Sequence, residues 1–251
     1  MIDVSYSVVI PVYNSDKTLL QLHKRLDNVF KSINRTYELI CVDDHSTDDS
    51  WNVLKALHKF NSNVRIVRLS RNVGQHKALM CGFSFVSGAF IITIDDDLQN
   101  PPEEIPTLIN TIEKSGFDVV YGISPERNHS FIRKLGSRIY FWSMSSTLKG
   151  FPVSNFRVVR RHVIDAILTF NTSRPLIGVL IISVTEKIGS VTVRHAERAR
   201  GKSTYTPFKL ITHFVNGILY KSGIMRKFML RIPEKTCGVL QFVIEEQDVQ
   251  E

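Results

Sequence analysis

YSVVIPVYNSDKTLLQLHKRLDNVFKSINRTYELICVDDHSTDDS, residues 6–50, holds the pattern that decides the fold. Tyr6–Val12 is an unbroken apolar run, as in a strand covered on both faces. From Thr18 to Ile33 the period changes to that of a helix, with Leu19, Leu22, Leu26, Val29, Phe30 and Ile33 on one stripe. Tyr37–Val42 returns to a buried strand, and Ser46-Thr47-Asp48-Asp49 announces a helix carrying Trp51, Leu54 and Leu57. Two covered strands joined by a helix form a parallel crossover unit.

The pattern continues outward. Val64–Leu69, Phe90–Ile94 and Asp118–Tyr121 read as strands, Lys77–Val86 as a helix, and Pro101-Pro102-Glu103-Glu104 opens another helix. The expected class is α/β, with a doubly wound, mostly parallel sheet. The second half is less regular. Phe131–Leu148 reads as a helix, Asn155–Arg160 as a strand, Arg161–Phe170 as a helix and Val191–Ala196 as a late strand. Arg198–Thr206 reads as a polar loop, and Pro207–Tyr220 is amphipathic through Phe208, Ile211, Val215, Ile218 and Leu219.

At 251 residues, 43% hydrophobic and 22% charged, the chain has enough apolar material for a large core. No N-terminal signal stretch is visible, and Leu176–Val184, the longest clean apolar run, is too short to span a bilayer. These features predict a cytoplasmic protein, free or on the cytoplasmic face of a membrane. Cys41 and Cys81 lie among apolar neighbours and read as buried reduced thiols; with Cys237 they show no zinc spacing. Residues 1–120 carry 12 Lys/Arg against 15 Asp/Glu, and residues 121–251 carry 20 against 9. That basic second half suits an anionic partner or is simply a basic surface. Nucleic acid is not expected, because no nucleic-acid signature accompanies the charge. A dinucleotide-binding dehydrogenase is excluded too, since residues 11–18 contain no glycine.

Ligands of doubly wound sheets bind beyond the carboxyl ends of the strands. Four polar clusters fall there: Pro11-Val12-Tyr13-Asn14, Asp43-Asp44-His45-Ser46, Ser70-Arg71-Asn72-Val73-Gly74 and Asp95-Asp96-Asp97-Leu98-Gln99. Three adjacent carboxylates repel one another, and a divalent cation relieves that repulsion. In an extended segment Asp95, Asp97 and Gln99 share one side and Asp96 points elsewhere. A solvated acidic turn is the other reading of the same triplet. Asp43 and Asp44 read either as loop and cap residues or as acceptors for base and ribose hydrogen bonds; Arg71 and Lys77 as surface charge or phosphate contacts.

SVVIPVYNS, ELICVDDHSTDDS, RLSRNVGQHKAL, FIITIDDDLQNPPEEIP and ERARGKSTY together resemble the family 2 glycosyltransferases of GT-A fold, over residues 6–205. The run Asp95-x-Asp97-Leu98-Gln99-x-Pro101-Pro102-Glu103 is similar to the branch containing dolichol-phosphate mannose synthase and the bacterial polyprenyl-phosphate sugar transferases. The resemblance implies Mg²⁺ or Mn²⁺ on Asp95, Asp97 and Gln99. It implies a UDP- or GDP-linked sugar against Pro11, Tyr13, Asn14, Val42, Asp44, Asp95, Asp96, Asp97, Arg127 and Arg198. Asp97 and Arg198 would be catalytic, in an inverting transfer within cell-surface glycan synthesis. The acceptor would be a polyprenyl phosphate or related lipid, its phosphate held by the basic set Arg133, Lys134, Ser137 and Arg138. The alternatives are a soluble transferase acting on a glycan hydroxyl, or a non-catalytic homologue. Three positions depart from the family pattern: Ser15 where an acid is usual, Asn155-Phe156-Arg157 where bacterial relatives have Asp-Phe-Arg, and Thr204 where a lysine is usual. Many relatives continue into membrane-spanning helices, whereas this sequence ends EEQDVQE. The expected layout is a transferase domain over 1–205, with a nucleotide-sugar half (1–122) and an acceptor half (123–205). An amphipathic helix and tail follow over 206–251. No oligomeric state is readable.

Overall fold

The structure, a computed structural model, describes residues 5–124, 154–172 and 175–196, and the backbone of 244–248. The first half alternates strand and helix: β1 (Tyr6–Val12), α1 (Leu19–Ser32), β2 (Tyr37–Asp43), α2 (Ser50–Phe60), β3 (Val64–Leu69), α3 (Gln75–Phe83) and β4 (Phe90–Thr93). A 3₁₀ turn over Pro102–Glu104 leads into α4 (Ile105–Lys114) and β5 (Val119–Ile123). Beyond these lie β6 (Arg157–Arg160), α5 (Arg161–Leu168), α6 (Ile177–Val184), β7 (Ile188–Thr192) and β8 (Ile244–Asp248). The sheet of the described residues has the order β7-β5-β6-β4-β1-β2-β3-β8. β1 pairs in parallel with β2 and β4, and β2 with β3, while β6 and β8 run antiparallel to their neighbours. It is therefore a mixed sheet with a parallel centre.

Each residue of β1 is buried. Tyr6, Val8, Ile10 and Val12 join one core with Leu22, Leu26 and Phe30 of α1, Trp51 and Leu54 of α2, and Leu108 and Ile112 of α4. Val9 points the other way, into a second core with Ala78 and Leu79 of α3, Val163 and Ile164 of α5, and Ile177 and Ile181 of α6. The alternation of one strand thus divides the helices into two layers. The apolar run before Val184 is the helix α6, and no helix among the described residues is long and apolar enough to cross a membrane.

Three expectations need correction. The late strand lies at Ile188–Thr192 rather than Val191–Ala196, because its register is set by parallel pairing with β5, Val119 to Ile188 through Ile123 to Thr192. The third helix starts at Gln75 and ends at Phe83, ahead of the predicted Lys77–Val86. Helix α2 has no side-chain bond from its cap residue Asp49; Asp48 Oδ1 takes the Ser50 N–H instead, at 3.0 Å. Strand β8 pairs antiparallel with β3 at the edge of the sheet. The helix expected at 131–148 and the amphipathic segment 207–220 lie outside the described residues.

The end of the sheet away from the polar clusters is stapled by a buried carboxylate. Glu38 Oε1 accepts from Ser7 Oγ (2.5 Å), Ser87 N (2.6 Å) and Ser87 Oγ (2.6 Å), and Ser7 Oγ in turn accepts from Gly88 N (2.8 Å). A methyl group on Gly88 would stand 2.7 Å from the main chain of Tyr6 and Ser7, which only a backbone shift could relieve. We expect Gly88→Ala to lower the unfolding free energy by about 1–3 kcal/mol, read as a shift of the urea midpoint. Burial pushes the Cys41 and Cys81 thiols up to about 12. Roughly one in ten thousand of each is then thiolate at pH 8. A disulfide reagent should leave both unmodified in the native protein and label both in guanidinium, as located by peptide mass spectrometry.

Candidate active site

The loops after β1, β2, β3 and β4 leave the same edge of the sheet, and each contains a left-handed residue. These are Asn14 (φ 55°), His45 (φ 60°), Gly74 (φ 90°) and Leu98 (φ 62°). Left-handed backbone reverses the chain sharply and is disfavoured for a residue such as leucine. Leu98 is held there by burial of its side chain in the first core. Residues of β1 bond alternately to its two neighbours: Val9 O accepts from Ile94 N and Val12 O from Asp44 N. Pro11, without an N–H, therefore faces β4, whose pairing with β1 has ended at Val9 and Thr93.

Strand β4 stops at Thr93, and Asp96 and Asp97 form a turn. The extended alternation expected for Asp95, Asp97 and Gln99 is therefore absent; hydrogen bonds, not strand parity, set the directions. Asp95 Oδ1 accepts from Gln75 Nε2 at 2.5 Å. Asp96 Oδ2 accepts from Tyr13 N at 3.1 Å and from Ser15 Oγ at 2.5 Å. Asp97 Oδ1 accepts from Gln99 N at 3.0 Å. Ser15, a departure from the family pattern, here provides a hydroxyl to Asp96 where an acid would have repelled it. Burial, then the charges of Asp97 and Asp96, push Asp95 up to about 6, against a hydrogen bond from Asn155 and the pull of Arg157. Burial also pushes Asp96 up to about 6, against the bonds from Ser15 and Tyr13.

The two acids after β2 divide their work. Asp43 is fully buried, 3.3 Å from Arg68 Nε, and accepts from Ser46 N. Asp44 holds the neighbouring loop, accepting from Val73 N (2.7 Å) and Gly74 N (2.8 Å). Asn14 Oδ1 accepts from Thr47 N at 2.8 Å, joining the first two loops. Val42 is buried in the second core, which leaves only its main chain for a ligand. Tyr13 presents its ring to solvent, with 45% of its surface exposed. Arg71 is exposed, and Asp165 is an exposed helix residue paired with Arg161. Ala196 N donates to Gln99 O at 2.8 Å, so the chain leaving toward Arg198 is tied to the aspartate turn.

The structure thus brings Pro11, Tyr13, Asn14, Asp44, Asp95, Asp96, Asp97 and Gln99 to one edge. Arg127, Arg133, Lys134, Ser137, Arg138, Arg198 and Thr204 lie outside the described residues. Gln75, Asn155 and Arg157 act on Asp95 and were missed as site residues; the sequence offered only their places after Gly74 and in the Asn155-Phe156-Arg157 string. Among the described residues no three His, Cys, Asp or Glu side chains converge as a ready metal group. The mutually repelling carboxylates still fit a hard divalent cation, with substrate phosphates and water completing its shell.

The profile of glycosyl transferase family 2 matches residues 7–170. The chain belongs to glycosyl transferase family 2. Among its curated relatives is the undecaprenyl-phosphate 4-deoxy-4-formamido-L-arabinose transferase of Klebsiella pneumoniae (strain 342), 40% identical over 210 residues. The protein of the same name from Serratia proteamaculans (strain 568) is 41% identical over 210 residues. Each alignment covers 82% of this chain and 64% of the relative, so the chain spans about two thirds of the length of these transferases. In architecture the chain is similar to glucosyl-3-phosphoglycerate synthase of Mycobacterium tuberculosis, solved with Mn²⁺, UDP-glucose and phosphoglyceric acid. The TM-score is 0.62 at 20% identity, over 98% of this chain and 86% of that one. That likeness identifies the fold as the GT-A glycosyltransferase fold.

Asp44→Ala would leave the Val73 and Gly74 amides without their acceptor, at about 1–3 kcal/mol. Hydrogen exchange at those two amides should accelerate about tenfold or more, with exchange in β1 unchanged.

Proposed function

We propose that this chain moves a sugar from a nucleotide diphosphate to a polyprenyl phosphate, with a divalent metal, in cell-surface glycan synthesis. The observation that carries the reading is the acidic turn Asp95–Asp97, placed beside Asp44 and the exposed Tyr13 ring at one edge of the parallel sheet. Support for the acceptor comes from the relatives, whose names specify undecaprenyl phosphate. Support for the donor and metal comes from the fold neighbour, which holds Mn²⁺ and UDP-glucose.

In this reading Tyr13 and the loops held by Asn14 and Asp44 take the nucleotide, and Pro11 leaves the floor open toward β4. Asp95, Asp97 and Gln99 would hold Mg²⁺ or Mn²⁺, which neutralises the diphosphate and stabilises the leaving nucleotide. Asp96 keeps the Tyr13–Ser15 turn against the metal loop. Arg198 would add positive charge against the donor diphosphate. One in-line displacement breaks the bond from the anomeric carbon to the diphosphate oxygen and forms the bond to the acceptor phosphate oxygen, with inversion. An ionised phosphate needs no general base, which agrees with the lone exposed Asp165 on α5. Arg133, Lys134, Ser137 and Arg138 would hold that phosphate, and the segment 207–220 would rest on the bilayer surface.

Calorimetric titration of UDP and GDP, with and without Mn²⁺, tests the donor site. Metal-dependent binding of one nucleotide is expected, weakened about tenfold or more in Asp97→Ala. Absence of binding of both nucleotides at any metal concentration would sink the reading. For the acceptor, transfer to undecaprenyl phosphate but not to a free glycan is expected. Flotation on anionic liposomes should use the full chain, because removing the tail would also remove β8 from the sheet.

A further inference from the structure

Pro101-Pro102-Glu103-Glu104 follows the acidic turn directly, and the proposed transfer leaves it without a part. Acids at the start of a helix favour its dipole. Here each glutamate also reaches an arginine on a different segment. Glu103 takes Arg25 of α1 at two points, Oε1 from Nε at 2.9 Å and Oε2 from Nη2 at 2.5 Å. Such a two-point pair fixes direction as well as distance. Glu104 is only 7% exposed, and its Oε1 accepts from Arg194 Nε at 2.5 Å. A carboxylate so far out of water needs a partner. Its partner comes from outside, since the Arg194 side chain is 79% exposed.

The place of Arg194 in the chain gives this pair a use. Val193 N donates to Ile123 O at 2.9 Å, which carries the β5–β7 ladder one residue past Thr192. Ala196 N donates to Gln99 O at 2.8 Å. Residues 193–196 therefore cross from the end of β5 to the acidic turn, and Arg194 is bonded to Glu104 midway along that crossing. Gln99 is held on both sides of its main chain. Its N–H donates to Asp97 Oδ1 at 3.0 Å, and its carbonyl accepts from Ala196. Those two bonds fix where the Gln99 side chain begins.

We propose that Arg194 and Glu104 are positioning residues for Gln99. Their ion pair clasps residues 193–196 to the turn before α4, keeps the Ala196 amide on the Gln99 carbonyl, and so holds Gln99 ready for the metal. The metal half rests on the reading of Gln99 as a ligand given above; the clasp does not. A ligand whose main chain swings must be ordered when the ion binds, and that ordering weakens binding. Arg25 secures the same turn from the other side through Glu103, so the clasp closes on a fixed base.

Hydrogen exchange on metal-free protein reads the clasp by itself. In Arg194→Met the Ala196 amide should exchange about tenfold faster than in wild type, with Val193 unchanged because β5 holds it. Arg194→Lys, which keeps a charge for Glu104, should lie closer to wild type. Unchanged exchange at Ala196, or equal acceleration at Ala196 and Val193, overturns the clasp. Mn²⁺ titration, followed by the electron paramagnetic signal of the free ion, reads the metal half. Arg194→Met should bind Mn²⁺ about fivefold more weakly than wild type, and should cost nothing further when Gln99 is already changed to Ala. Unchanged Mn²⁺ affinity, or the same loss in both backgrounds, overturns the positioning of Gln99. Wild-type protein that binds no Mn²⁺ refutes the metal reading of the site, while exchange at Ala196 still decides whether the clasp exists.

Discussion

The covering of β1 on both faces is the constraint on which the rest of this structure depends. A strand with no solvent face must sit at the centre of a sheet, with helices above and below it. Its alternation sends Val8, Ile10 and Val12 into one core and Val9 into the other. Parallel pairing with β2 and β4 then follows, and parallel strands release their loops at the same edge. Convergence of the Tyr13, Asp44 and Asp95 loops is therefore a by-product of how the core is built.

What converges at that edge is a set of carboxylates whose surroundings differ sharply. Asp43 is sealed beside Arg68, Asp44 ties down two amides, and Asp96 holds the turn after β1. Asp95 takes the side-chain amide of Gln75, and Asp97 accepts from the Gln99 amide within its own turn. Neighbouring residues of one chemical type are thus given different partners and different burial. Asn155 and Ser15 illustrate the same economy: each departs from the family pattern by replacing an acid, and each donates to a carboxylate that another acid would repel.

The opposite end of the sheet has the complementary character. Glu38 is satisfied by Ser7, Ser87 and, at 3.5 Å, Arg65. Gly88 permits main-chain contact where a side chain would collide. At the other end the left-handed Leu98 is held by burial of its own side chain in the first core. Strand β8 adds a further support by covering the edge that β3 would otherwise expose.

The sequence alone determined the layered class, the strands β1 to β5 and the four polar clusters at their ends. Those features are written in local period and in turn residues, which depend on near neighbours only. The buried thiols, and the gathering of Pro11, Tyr13, Asn14, Asp44 and Asp95 to Gln99 at one edge of the sheet, were legible for the same reason. The tertiary structure alone decided the register of β7, the return of β8 to β3, and the direction of each aspartate. Asp96 is aimed by amide and hydroxyl groups 83 and 81 residues away in the chain, respectively. That Arg157 stands opposite Thr93 was invisible in the sequence because it is decided by a strand pairing. Hydrophobic periodicity is a local property of the chain, whereas the field at a carboxylate is the sum over whatever the fold brings near it.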